Sequence, residues 1–265
     1  MLLLDQLIEL RDDAAVAVGR SSRDHPLLGE DGLVDPLASI ELIAQAAAAM
    51  VGASRSGESG RLPGLVVGVR DLSLKGSNRP GDTIRVEVQR GRCSSVFQEV
   101  RGVVSAEGCP VAAGELKLVV GGGSEAGLAV APVDQDVPRG ATSIHPIRGR
   151  VASEGGRIHG VFRVARSLAA FAGHFPGQPL LPAAVVTALA AEPVRRTFAA
   201  GLTLAAVRRA RFARPIVPEN EVEVWCEGTG ERAWDARVLV RGAEAASVSF
   251  ELEPAEARSR VTRCG

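Results

Sequence analysis

Two side chains in this sequence have the surroundings that proton-transfer chemistry needs. His174 opens the run HFPGQPLLPAAVVTALAAE, in which Phe175, Pro176, Gly177, Pro179 and Pro182 frame one imidazole before an apolar helix begins. The prolines and glycine restrict the backbone of the turn, and Pro182 suits a first helical position, where a missing N–H is no loss. A rigidly held histidine can act as base or acid near neutral pH, although for a lone histidine an ordinary turn residue is the commoner reading. The second group is Glu41, the only acid between Pro36 and Glu58, in a helical run apolar on nearly every side. A carboxylate there is costly to ionise, so it is either paired, functional, or placed with Gln45 at i+4 on one solvated strip.

The elements that must position these groups come twice along the chain. Residues 2–10 read as a short helix or strand, and 14–20 as a weakly alternating strand. After a polar, turn-rich passage, Asp35 is placed to cap a helix and Pro36 to start it. Residues 37–51 continue that helix without a breaker, and a helix apolar all round is a buried one. A Gly/Ser-rich loop follows, then strands at 65–75, 83–92, 94–105 and 111–120, each bounded by Gly, Pro, Asn or Asp. The same plan returns as a strand at 157–166, the His174 turn with its helix, and strands at 202–214, 221–227, 232–241 and 245–253. A second pair of anchors aligns the halves: RPGDTIRV from Arg79 matches VPENEVEV from Val217. Helix first and strands after is an α+β pattern. The reading is an N-terminal unit over 1–120, a linker over 121–142, a C-terminal unit over 143–254 and a tail over 255–265.

Composition narrows the function classes. The chain has 265 residues, room for one large domain or two of about 100 to 150, and with 46% of them hydrophobic it can bury a proper core. Its 31 basic and 31 acidic residues leave no overall basic field, which argues against nucleic acid. No apolar run reaches the roughly 20 residues of a membrane span, and the N-terminus lacks the basic start of a signal peptide. Cys93, Cys109, Cys226 and Cys264 are scattered, without CxxC or histidine at ligand spacing, so neither a metal site nor a disulfide framework is expected. A cytoplasmic protein is expected.

The run His-Phe-Pro-Gly-x-Pro, two apolar residues, then Pro and a small residue resembles the signature of the β-hydroxyacyl-acyl-carrier-protein dehydratases of the hotdog superfamily. IELIAQA in the first half is similar to that family's helix, with the acid and the following Gln at its spacing. The resemblance implies two hotdog domains in one chain, each an antiparallel sheet wrapped around a long helix, joined as a pseudo-dimer. In the family the histidine comes from one hotdog and the acid from the other. Here the acid position of the second half is Ala188, fourteen residues after His174, so one composite site is implied: His174 from the second half and Glu41 from the first. The resemblance also assigns the thioester oxygen to a backbone N–H, that of Ala183. Its first-half counterpart is Pro36, which has none.

Dehydration of a 3-hydroxyacyl thioester needs a base for the α-proton, an acid for the leaving hydroxyl and a donor where enolate charge gathers. His174 as base, Glu41 as acid and Ala183 N–H as donor fill these roles, with Gln45 in support. The two side chains can also exchange roles. No cofactor is called for. The substrate would come on acyl carrier protein or coenzyme A. Arg195, Arg196, Arg208, Arg209, Arg211 and Arg214, with no acid between Pro193 and Pro218, are candidates for docking an acidic carrier or are simply a solvated cluster. His25 reads as a relic or a structural turn residue, and His145 and His159 as partnerless strand histidines. The alternatives are an acyl thioesterase on the same scaffold and a non-catalytic hotdog partner binding acyl carrier protein.

Overall fold

In the computed structural model, residues 3–29, 31–54, 64–119, 147–171, 179–198 and 201–255 are described. The first half contributes β1 (Gln6–Leu10), β2 (Ala14–Arg20), α1 (Ala38–Ser54), β3 (Leu65–Leu74), β4 (Thr83–Cys93), β5 (Phe97–Ala106) and β6 (Cys109–Val119). The second contributes β7 (Arg148–Glu154), β8 (Arg157–Arg163), α2 (Ala183–Thr197), β9 (Leu202–Phe212), β10 (Glu221–Gly228), β11 (Ala233–Val240) and β12 (Ala243–Pro254), with a single 3₁₀ turn at Ala169–Phe171. The expected linker over 121–142 lies wholly outside the described residues, as do the tail from 256 and most of the Gly/Ser loop.

The twelve strands of the described residues form one antiparallel sheet in the order β1-β2-β4-β5-β6-β3-β9-β12-β11-β10-β8-β7. Read outward from the middle, both halves run through the same permutation, with β3 and β9 as counterparts. The two hotdogs therefore meet edge to edge, Val69 opposite Ala210 and Leu72 opposite Val207. Alternation along the strands decides which face is dry. Ile84, Val86 and Val88 of β4, Val100 and Val104 of β5, Val222 and Val224 of β10, and Val248, Phe250 and Leu252 of β12 are buried on the helix side. Arginines, glutamates and serines alternate with them on the other face.

Both helices press on that dry face. Ile40, Ile43, Ala46, Ala47 and Met50 of α1 are fully enclosed, each large side chain worth about 1.5–3 kcal/mol of burial. Glycines let α1 and α2 come close: a Cβ on Gly102 would stand 2.6 Å from Ile43, and one on Gly160 would meet the Phe162 ring and Pro193. The Asp35 carboxylate accepts the Leu37 N–H at 2.9 Å as expected, while α1 itself begins at Ala38, two residues after Pro36. Two elements differ from it. β7 was not foreseen because it is an outer strand exposed along nearly its whole length, with no alternation to detect. β5 begins at Phe97 rather than at 94, because the Ser94 hydroxyl accepts the Val96 and Phe97 N–H groups and closes a turn.

Candidate functional site

Glu41 sits in the first turn of α1 and is 5% exposed. Its Oε1 accepts the N–H of Ala184, across the joint between the halves, at 3.3 Å. That N–H belongs to the first turn of α2, whose leading groups have no intrahelical acceptor. α2 has no cap of its own: Pro182 precedes it with φ −57° and ψ 146° and offers no capping side chain. The acid of one hotdog thus closes the helix start of the other.

The turn exit is held firmly. Leu181 N–H donates to the Ile216 carbonyl at 2.8 Å, and the Val185 and Val186 N–H groups share the Pro182 carbonyl. Ala183 is the first residue of α2, and Thr187 Oγ1 donates back to its carbonyl at 2.8 Å. Glu41, Ala44, Gln45, Leu180, Ala183 and Val186 line a cavity of about 830 Å³. Gln45 is tied from outside, its Oε1 accepting the Leu3 N–H at 2.8 Å. The structure therefore brings Glu41, Gln45 and Ala183 to one cavity, with Pro182 directly before Ala183 in the chain. His174, Phe175, Pro176 and Gly177 lie outside the described residues.

The six arginines of the candidate docking group are divided. Arg195 and Arg196 both reach Glu192, at 3.7 and 2.7 Å, and Arg196 also donates to the Ile147 and Gly149 carbonyls of the β7 region. Arg208 is held in a two-bond pair with Glu251, which keeps that carboxyl below its usual range. Arg209, Arg211 and Arg214 line the cavity. Sequence reasoning did not find Arg70 and Lys117, which line it from the first half. Only the strand register places them there.

The pseudo-symmetric position is built differently. Ala188, where a second acid would stand, is buried, as is Thr187 beside it. His25 is enclosed in the Ser22–Leu28 turn with its Nδ1 accepting the Leu27 N–H at 3.1 Å. Burial lowers its pKa to about 4, so it stands as a neutral turn residue. His159 is not partnerless: it stacks on Trp225 with ring centroids 4.0 Å apart, and its Nε2 lies 3.8 Å from Glu223. Cys226, donating to the Ala190 carbonyl, is pushed up to about 12 by burial and is unsuited to act as a nucleophile. Among the described residues no His/Cys/Asp/Glu group is arranged to hold a metal, and no helix is long and apolar enough to cross a membrane.

Residues 1–122 match the family model of the ApeP dehydratase, and residues 150–249 that of the ApeI dehydratase. A search of the curated proteins finds no match. Among solved structures, a putative oleoyl thioesterase from Lactobacillus plantarum aligns with TM-score 0.61 and 12% identity over 91% of this chain and 96% of that one. An inactive mutant of the CurK dehydratase aligns with TM-score 0.59 and 13% identity over 98% and 99% of the two chains. The dehydratase heterocomplex ApeI:P from Xenorhabdus doucetiae aligns with TM-score 0.43 and 24% identity over 47% of this chain and 86% of that one. At these identities the thioesterase and the CurK dehydratase speak for the fold alone. With two family models meeting in one sequence, and with both halves built on the same strand permutation, the chain is a tandem hotdog protein resembling the dehydratases, an ApeP-like half joined to an ApeI-like half.

Proposed function

We propose that the protein converts a 3-hydroxyacyl thioester to the trans-2-enoyl thioester at one composite site, with His174 as base and Glu41 as acid. The observation that carries this reading is the buried Glu41 carboxyl of the first hotdog, set against the first turn of α2 in a cavity. The imidazole takes the C2 proton, and the electrons of that bond form the C2–C3 double bond. The C3–O bond breaks, and the oxygen leaves as water with the proton from Glu41. Charge gathering on the thioester oxygen meets the Ala183 N–H at the helix start, where the dipole assists it. Leu180 and Ala183, which follow the His174 turn, line the cavity that holds Glu41, so the chain leading out of that turn supports its delivery to the same space. The acyl chain runs along the face of α1 that carries Ala44 and Ala48. The thioester is carried by acyl carrier protein or coenzyme A, and the work takes place in the cytoplasm.

The test is turnover by the purified chain with 3-hydroxyacyl thioesters, following both the absorbance of the conjugated enoyl thioester and the release of free thiol. Enoyl product without thiol supports the proposal. Thiol release without enoyl product favours the thioesterase alternative, and neither favours a non-catalytic partner.

A further inference from the structure

The seam between the two hotdogs gathers positive charge, most of it without an ion pair among the described residues. Arg70 of β3 stands directly opposite Arg209 of β9, and in the next row Gly68 stands between Lys117 of β6 and Arg211 of β9. With Arg214 these side chains are exposed, and their residues are among those that line the cavity containing Glu41. Like charges directly across a ladder destabilise it. Among the described residues, the acids directly across from these cations are on the first-half side: Glu99 faces Lys117, and Glu115 faces Arg70 while pairing with Arg101 at 2.7 Å. On the other side, Arg209 and Arg211 are flanked on β12 by Ser249 and Ser247. Among the described residues none of Arg70, Arg209, Arg211 and Arg214 forms an ion pair, whereas Arg208, their neighbour in sequence, is held by Glu251. Gly68 contributes to the shape. A Cβ there would meet the Ala210 carbonyl at 3.3 Å and Lys117 at 3.6 Å, so its absence leaves a notch between two cations.

We infer that this seam cluster binds the phosphate of the 4′-phosphopantetheine arm, the group that coenzyme A and a charged carrier protein share. The inference rests on the dehydratase reading for the identity of the substrate, but not for the anion site itself. A phosphate ester seated between Arg209, Arg211 and Arg70 removes the like-charge penalty across the joint and gains charge-assisted hydrogen bonds. It also makes binding depend on both halves, as the composite cavity does. Arg195, Arg196 and Arg208 take no part, because their guanidinium groups are already engaged.

Calorimetric titration with 4′-phosphopantetheine and with pantetheine, which lacks only the phosphate, tests this. The wild-type protein should bind the phosphorylated form about tenfold or more tightly, and raised salt should erode the difference. Arg209→Gln with Arg211→Gln should remove the preference, Arg70→Gln should reduce it, and Arg237→Gln, on the outer face beside Glu244, should retain it. Equal wild-type affinities, or a preference that survives in the double variant, would overturn the inference. Repeating the comparison with coenzyme A and with a carrier protein bearing the arm identifies the source of the phosphate, and equal binding of both to the double variant and the wild type would again overturn it. His174→Ala should keep the preference, so loss of turnover and loss of phosphate binding are separable results.

Discussion

Glu41 has two tasks in this account, and two substitutions separate them. Its Oε1 caps α2 from the opposite hotdog through the Ala184 N–H, and its proton is assigned to the leaving hydroxyl. Glu41→Gln keeps an oxygen that can accept the Ala184 N–H but cannot deliver the proton. Glu41→Ala loses both. Loss of a helix cap costs about 1 kcal/mol, and in a chain of this size that lowers Tm by about 2–4 °C. Loss of a general acid costs about 10²–10⁴ in rate. Thermal unfolding and the enoyl-thioester assay on the same samples should therefore give Glu41→Gln with near wild-type Tm and a rate reduced by those orders, and Glu41→Ala with the same rate loss and a lower Tm. A Gln variant that turns over at the wild-type rate would refute the acid role. An Ala variant as stable as the Gln variant would refute the cap.

Three further outcomes are expected. Ala183→Pro removes the N–H assigned to the thioester oxygen at a first helical position that tolerates proline, after a Pro182 already extended at ψ 146°. It should lower kcat by about 10²–10³ with Tm unchanged, and unaltered kcat would remove Ala183 from the site. His25, whose folded pKa of about 4 lies below its unfolded value, binds fewer protons folded than unfolded, so stability should fall as pH drops from about 6.5 towards 4. His25→Asn, which keeps an acceptor for the Leu27 N–H, should flatten denaturant midpoints across that window, by up to about 3 kcal/mol. Gly114→Ala puts a Cβ 2.7 Å from the Leu72 Cα, beside the irregular stretch of β3 that holds Asp71 at φ 48°. It should cost about 1–3 kcal/mol by overpacking.

The repeated helix-and-strands plan was legible because its signals are local, an uninterrupted apolar helix after Asp35-Pro36, a second after Pro182, and runs of alternating residues between turns, whereas the hotdog arrangement came from the family resemblance. β2 emerges with the expected bounds for that reason. β1 was ambiguous and β7 invisible because an outer strand has little to bury and so no period. The Ala184–Glu41 contact joins residues 143 apart, and no local pattern announces it. Pseudo-symmetry and a family resemblance led to Glu41. The arginines show the same limit. Sequence proximity grouped Arg208 with Arg209, while the β12 neighbours separate them: Glu251 engages the first, and Ser249 stands opposite the second.

The central claim is that one polypeptide brings a base and an acid from different halves to the same carbon pair. Its most direct measurement is a crystal structure with a stable 3-hydroxyacyl thioether analogue bound. The account predicts the His174 imidazole within reach of C2, the Glu41 carboxyl within reach of the C3 hydroxyl, and the carbonyl oxygen against the start of α2. An analogue bound with the imidazole in a separate cavity, or turned out to bulk water, would contradict it.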